Sequence, residues 1–190
     1  MTKLDERPAW QALRAGHPDA CAELVRANYQ PVYRFLVHLT RNIHEAEDLT
    51  QETFAAAWQR IGSFEGRATP ATWLHRIAYS KFIDARRTQR RAADVLDQCP
   101  NRGGFPDPHE IVSAGDEVRR LHDALNVLDV IDRAPLVLHY LQGLSYREMA
   151  VVLEEPVGTV KWRTSEALHR LRALLREEVT EDAQTETNRS

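Results

Sequence analysis

Three prolines and two glycines fall within the stretch QCPNRGGFPDPHE, residues 98–110, and little in it can be buried. Such a segment supports neither helix nor strand, so it divides the chain into two parts. On both sides of it apolar residues recur at three- and four-residue intervals, the repeat of amphipathic helices. No period-two alternation is sustained, and no Asn-Gly pair joins two apolar runs, so strands are not expected. The fold class that follows is all-α, with two small helical domains joined by a flexible linker. The expected boundaries are 1–91, a linker over 92–113, a second domain over 114–176 and a polar tail over 177–190. A hydrophobic content of 43% is enough to give each half a core.

Four helices are expected in the first half. A short one holds Trp10 and Leu13. A second starts at Asp19 as its N-cap and runs through CAELVRANYQPVYRFLVHLT, with Pro31 bending it. A third covers HEAEDLTQETFAAAWQRI, with Gly62 as its C-terminal cap. Pro70 and Thr72 open a fourth, TWLHRIAYSKFIDARRTQRR. On the third, Ala46, Leu49, Thr53 and Ala57 form the inner stripe, with Phe54 beside it. Asp48, Gln51, Glu52, Ala55 and Gln59 fall opposite. That acidic, amide-rich face fits either a solvated surface or a site for a basic protein, and it would repel DNA. The fourth helix carries Arg76, Lys81, Arg86, Arg87, Arg90 and Arg91 against the single acid Asp84 between Arg76 and Arg91. Its cations and its neighbouring Trp73 and Tyr79 suit exposed nucleic-acid bases and backbone. A helix with a basic end favoured by the macrodipole is the other reading, in which Trp73 belongs to the core.

The second half ends in a more specific pattern. Gly143 stops one helix, and Ser-Tyr-Arg-Glu (145–148) fits a capping box for the next. A Pro-Val-Gly turn follows Glu155, and a new helix begins near Thr159. A helix, a tight turn and a second helix at this spacing match a helix-turn-helix. At 100° per residue, Val160, Thr164, Ala167, Leu171 and Leu174 form one stripe. Trp162 projects opposite, flanked by Lys161 and Arg163. Cations, a Trp and free N–H groups at a helix start can meet phosphates and base edges in a major groove. Alternatively Trp162 packs on a neighbouring segment.

Other classes are disfavoured. A net charge of −3 means that any basic surface is local and offset elsewhere. Cys21 and Cys99 are too few and too far apart for a disulfide framework or a CxxC metal site, and read as reduced thiols. MTKLDERPAW lacks the apolar run of a signal peptide, and no stretch is long enough to span a bilayer, so a cytoplasmic protein is expected. There is no GxSxG, HExxH or P-loop, and His17 with Cys21 makes a poor metal site. No enzymatic activity, cofactor, metal or small-molecule substrate is expected.

Three segments in this order, AEDLTQETFAAAW (46–58), TWLHRIAYSKFIDARR (72–87) and GLSYREMAVVLEEPVGTVKWR (143–163), resemble the extracytoplasmic-function (ECF) sigma factors of the bacterial sigma-70 superfamily. With flanking helices the resemblance covers about four fifths of the chain. It implies a region 2-like domain over 1–91 and a region 4-like domain over 114–176. Asp48, Gln51 and Glu52 match the positions that dock on the β′ clamp of core RNA polymerase. The part from Phe64 to Arg87 is similar to the segment that captures and melts the −10 element, which implies Arg76, Tyr79, Ser80 and Arg87 as DNA contacts. The helix-turn-helix looks like the −35 reader, implying Ser145, Thr159, Lys161, Trp162 and Arg163, with this domain against the β flap. The linker is expected to thread near the RNA exit path. An anti-sigma factor, often membrane-tethered in the family, is the implied regulator.

The chain also departs from the family pattern. Ile77, Ala78, Tyr79 and Ser80 stand where many relatives have Ile-Ala-Arg-Asn, and Pro70 stands where an aromatic is common. Trp162 replaces a common Ser, and Thr164, Ser165 and Glu166 replace a common Leu-His-Arg. A carboxylate at Glu166 would repel phosphate. The competing reading is a stand-alone helix-turn-helix regulator with an N-terminal sensing or dimerisation domain. It gives no reason for the acidic face or for the basic fourth helix.

Overall fold

The computed structural model describes residues 7–96 and 116–187, with side chains over 11–92 and 118–176. Every regular element among them is helical. The first half contains α1 (Arg7–Arg14), α2 (Pro18–Thr40), α3 (Ile43–Arg60) and α4 (Pro70–Leu96). The second contains α5 (Asp116–Val127), α6 (Val130–Leu136), α7 (Tyr146–Leu153) and α8 (Val157–Thr187). The Pro- and Gly-rich stretch 98–110 lies outside the described residues. Residues 92–96, expected to begin the linker, continue α4 instead.

Local chemistry sets the helix ends. α2 starts with Pro18, whose missing N–H costs nothing in the first turn, and its N-cap is His17. Asp19, expected as that cap, sits in the first turn, where its charge faces the positive end of the helix dipole. Pro31 is accommodated inside α2, which runs on to Thr40. The side chain of Asn42 caps α3 by accepting from the Glu45 N–H at 3.1 Å. Gly62 is not the cap that ends it. The chain tightens into a 3₁₀ turn over Ile61–Ser63, and the Phe64 N–H closes it on the Ile61 carbonyl at 3.1 Å. That turn keeps right-handed geometry, so it makes no use of the positive φ that glycine permits.

The core begins on α2 with Val32, Phe35, Leu36 and Leu39 and is closed by Ala46, Leu49 and Ala57 of α3 and Leu74, Ala78 and Phe82 of α4. Thr50 and Thr53 are buried in the α3 stripe because their hydroxyls donate to the Ala46 and Leu49 carbonyls, at 2.6 and 2.7 Å. The two halves do not stand apart. Ala134, Val137 and Leu138, then Met149, Val152, Leu153 and Val160, join the same apolar cluster. At about 1.5–3 kcal/mol per fully buried large apolar side chain, this shared packing is the main force holding the halves together. A smaller cluster of Ala124, Leu125, Leu128, Leu136, Ala167 and Leu171 ties α5 and α6 to α8.

Two details of the second half depart from the expected pattern. After Pro135 in α6, residues Val137–Leu141 form a π-helical turn, which the Gln142 N–H closes on the Val137 carbonyl at 3.0 Å. The segment expected to fray from 177 continues α8 to Thr187. It contains neither Pro nor Gly and is rich in Glu, which favours helix continuation. No described helix is long and apolar enough to cross a membrane.

Candidate nucleic-acid interface

Helix α3 presents its polar face as the periodicity predicts. Ala46, Leu49, Thr53 and Ala57 are buried, and Asp48, Gln51, Glu52, Ala55 and Gln59 are exposed. Glu52 accepts from Lys81 of α4 at 3.1 Å, a solvent-facing ion pair. Trp58 is on the same exposed side, half exposed at 50%. It was missed in the sequence, although it lies two turns beyond Gln51 and one more step of the same angular reading reaches it.

Helix α4 carries its candidate residues on two sides. Ser80 and Arg87 are exposed. Arg76 and Tyr79 instead meet the second half of the chain. The Arg76 guanidinium donates from Nε and Nη2 to one Glu154 oxygen, at 3.0 and 2.7 Å. Tyr79 is half-buried in the shared cluster. Burial pushes its hydroxyl above the ordinary range, Glu155 adds to that, and Arg163 opposes it. Trp73 is half-buried and packs on Phe64 with ring centroids 4.9 Å apart, in line with a core role.

The helix-turn-helix is built by its caps. Gly143 has a φ of +70°, which a glycine adopts at no steric cost. The Ser145 N–H donates to Glu148 at 2.9 Å, and the Glu148 N–H to the Ser145 hydroxyl at 3.4 Å, completing the capping box. Glu148 also receives the Thr72 hydroxyl of α4 at 3.3 Å. Burial raises the Glu148 carboxyl, but the Ser145 N–H and the Ser145 and Thr72 hydroxyls outweigh it, so it is held below the usual range. The turn itself is Glu154-Glu155-Pro156. Val157 and Gly158, expected in the turn, already belong to α8, and the left-handed residue is Glu154 at φ +57°.

At the start of α8 the angular reading holds. Val160, Thr164, Ala167 and Leu171 are buried, and Leu174 is half-buried against the smaller cluster. Lys161 is exposed, Trp162 is 67% exposed and Thr159 is half-buried. Arg163 is half-buried and paired with Glu155. The repulsive carboxylate expected at Glu166 is matched by Arg170 at 3.3 Å, and Arg170 also reaches Asp132 at 2.6 Å. The structure thus brings Arg76, Tyr79 and Arg163 together around the Glu154-Glu155 turn, and leaves Ser80, Arg87, Lys161 and Trp162 on open surface.

A second set of contacts, two of the three between the halves, gathers at the C-terminal end of α2. The Leu39 and Thr40 carbonyls accept from Arg133 of α6 at 3.3 Å and Arg86 of α4 at 3.2 Å. Arg41 donates to the Asn126 carbonyl of α5. These carbonyls lack partners within α2 and carry its partial negative charge, so they attract guanidinium groups. Among the described residues, no group of three or more His, Cys, Asp or Glu could hold a metal ion.

The sequence pattern of sigma-70 region 2 matches residues 24–92, and that of sigma-70 region 4 matches residues 118–171. Over 177 residues the chain is 32% identical to the ECF RNA polymerase sigma factor SigW of Bacillus subtilis, covering 88% of this chain and 92% of that protein. The chain belongs to the ECF sigma factors of the sigma-70 family. It is also 36% identical over 171 residues to the ECF RNA polymerase sigma factor SigE of Mycolicibacterium smegmatis, covering 86% of this chain and 64% of that relative's length. Among solved structures, this sigma factor is similar to RpoE of Bartonella quintana, crystallised with the anti-sigma factor NepR. The TM-score is 0.67 at 26% identity, over 82% of this chain and 96% of that one. CnrH, in complex with the cytosolic domain of CnrY, matches with a TM-score of 0.69 at 25% identity, over 90% and 97% of the two chains. Region 2 of this sigma factor corresponds to α2–α4, and region 4 to α5 through the first half of α8.

Proposed function

We propose that this sigma factor binds core RNA polymerase in the cytoplasm and directs it to promoters through three separate surfaces. Asp48, Gln51 and Glu52 dock on the β′ clamp. Arg76, Tyr79, Ser80 and Arg87 take the −10 element, and Ser145, Thr159, Lys161, Trp162 and Arg163 take the −35 element, with region 4 against the β flap. In this reading, residues 1–91 and 114–176 act as the two functional domains and 92–113 as the connection between them. The chain forms and breaks no covalent bond, and the polymerase does the chemistry. An anti-sigma factor restrains it, a proposal supported by the inhibitor-bound relative from Bartonella quintana.

The observation that carries the reading is the separation of charge. The exposed face of α3 holds acids and amides, while α4 and the start of α8 expose cations. An acidic face repels DNA and suits a basic protein, and the opposite holds for the other two. A regulator that bound DNA without polymerase would have no use for the first surface.

Asp48→Lys with Glu52→Lys is the direct test. Both side chains are exposed, so helical circular dichroism should be unchanged while pull-down of core polymerase is lost. Retention of polymerase by the folded double variant would overturn the clamp assignment.

A further inference from the structure

Two cations flank Trp162 at the start of α8, and they are held differently. Arg163 is paired with the Glu155 carboxylate. Lys161 is exposed, and its partner is an aromatic ring instead. Its Nζ lies 5.9 Å from the ring centroid of Tyr146, the first residue of α7. That ring rests in turn on the His139 imidazole, with centroids 4.7 Å apart and an interplanar angle of 22°.

The π-helical turn brings these rings together. Val137–Leu141 hold one residue more per turn than an α-helix. Beyond them the Leu144 N–H donates to the Leu138 carbonyl at 3.0 Å, and the His139 Nδ1–H donates to the Leu144 carbonyl at 2.8 Å. Both backbone groups of the buried Leu144 are thus bound by the turn, which fixes where Tyr146 begins α7. The same bond sets the plane of the imidazole, so His139 offers Tyr146 a flat face.

A lysine loses much rotamer freedom when its ammonium group is immobilised. One that is already held over a ring meets a ligand at a smaller entropic cost. The ring face attracts the ammonium without neutralising it. A carboxylate in that place would have to be displaced before a phosphate could bind.

We propose that His139 and Tyr146 are positioning residues for the −35 contact. The π-turn fixes His139, His139 backs the Tyr146 ring, and that ring directs Lys161 toward a DNA phosphate. This rests on the assignment of Lys161 to the −35 surface given above.

The test is a double-mutant cycle in the holoenzyme formed with core polymerase. The probe is a fluorescein-labelled promoter fragment, mapped upstream of the transcripts that overexpression of this chain induces. Tyr146→Leu and His139→Leu should each weaken binding by about two- to five-fold, the scale of an exposed cation–π contact. Lys161→Ala should weaken it at least as much and flatten the salt dependence by about one phosphate contact. Adding Tyr146→Leu to Lys161→Ala should then weaken binding no further. Tyr146→Phe keeps the ring without the hydroxyl and should rescue the loss seen in Tyr146→Leu. A merely structural role would weaken binding equally with and without Lys161. That outcome, no loss in Tyr146→Leu, or no rescue by Tyr146→Phe would overturn positioning.

Nuclear magnetic resonance reads the contact without DNA. The Tyr146 ring current should shift the Lys161 Hε signals upfield in the unsubstituted chain, and Tyr146→Leu should return them. Unshifted Lys161 signals in the folded chain would overturn the proposal whatever the variants do. Failure of the parent reading looks different. If Lys161→Ala changes neither affinity nor salt dependence, Lys161 leaves the −35 surface, and the positioning role falls with it.

Discussion

The imidazoles of His38 on α2 and His122 on α5 face each other across the seam between the two halves, with ring centroids 5.9 Å apart. His38 is lowered from its ordinary 6.5 to about 4, first by burial and then by the nearby His122 and Arg133. Burial also lowers His122, with Asp123 opposing and Arg133 adding to the effect. Both rings therefore favour closure in their neutral form. Since the closed-state values are depressed, this contribution is complete above the ordinary value of 6.5 and is lost as pH falls toward 4. His122 Nδ1 lies 2.9 Å from the Asn126 side-chain amide. If that amide donates, a protonated ring loses its acceptor. The radius of gyration, measured by small-angle scattering, should rise as pH is lowered from about 8 to about 5. His38→Gln with His122→Gln should flatten that dependence. An unchanged pH profile in the double variant would place the sensitivity elsewhere.

Arg133 gives a prediction of the opposite kind. Among the described residues it is the largest fully buried side chain, 1% exposed. Only its Nη2 has a hydrogen bond, to the Leu39 carbonyl, and Nε and Nη1 have no partner among the described residues. Its pKa is lowered to about 10, by burial first and then by Arg41 and Arg86, with Asp129 opposing. A buried cation held this sparsely costs more in desolvation than its contacts return. Arg133→Met, which keeps most of the volume, should leave the melting temperature unchanged or raise it, by up to about 4 kcal/mol in stability. A clear drop would mean that the guanidinium is better compensated than its bonding suggests.

Residues whose signals are local were readable from the sequence, and residues whose partners are distant were not. The capping box at Ser145 and Glu148 depends on residues three apart, so its pattern is enough to find it. The outward Trp162 follows from helical angle alone. Arg76 is different. Periodicity puts it on a polar side of α4, but nothing local indicates that Glu154, 78 residues away, will occupy it. The same limit explains the turn. Pro-Val-Gly looks like a corner, yet Pro156 suits the entry to a helix, and the chain reverses at a strained Glu that only its distant partner accounts for. Arg163 is also a less clean probe than its exposed position in the motif suggests. Removing it strands Glu155, which has one oxygen buried without a partner already.

The capping box predicts a measurable stability change. The Ser145 hydroxyl caps α7 and also bonds Glu148 at 2.7 Å, and Glu148 in turn holds Thr72 across the seam. Ser145→Ala should cost about 0.5–2 kcal/mol, lowering the melting temperature by roughly 1–8 °C in a chain of this size. Ser145→Asp, which keeps a capping oxygen, should recover most of that loss. It should not recover DNA affinity if Ser145 also meets a phosphate, because the added carboxylate repels it. Recovery of both stability and DNA binding would limit Ser145 to the cap.

Trp162 separates surface function from stability most sharply. Its ring is 67% exposed, diametrically opposite the Val160, Ala167 and Leu171 stripe, so removing it leaves the buried core untouched. Trp162→Ala should change stability by no more than about 0.5 kcal/mol. Leu171→Ala, on the buried face of the same helix, should cost about 2–5 kcal/mol. If Trp162 contacts −35 bases or sugars, the Trp162→Ala protein will bind core polymerase normally and lose transcription from promoters that need the −35 element. Promoters with that element scrambled should be insensitive to the change. Equal loss on intact and scrambled promoters would remove Trp162 from the DNA-reading surface.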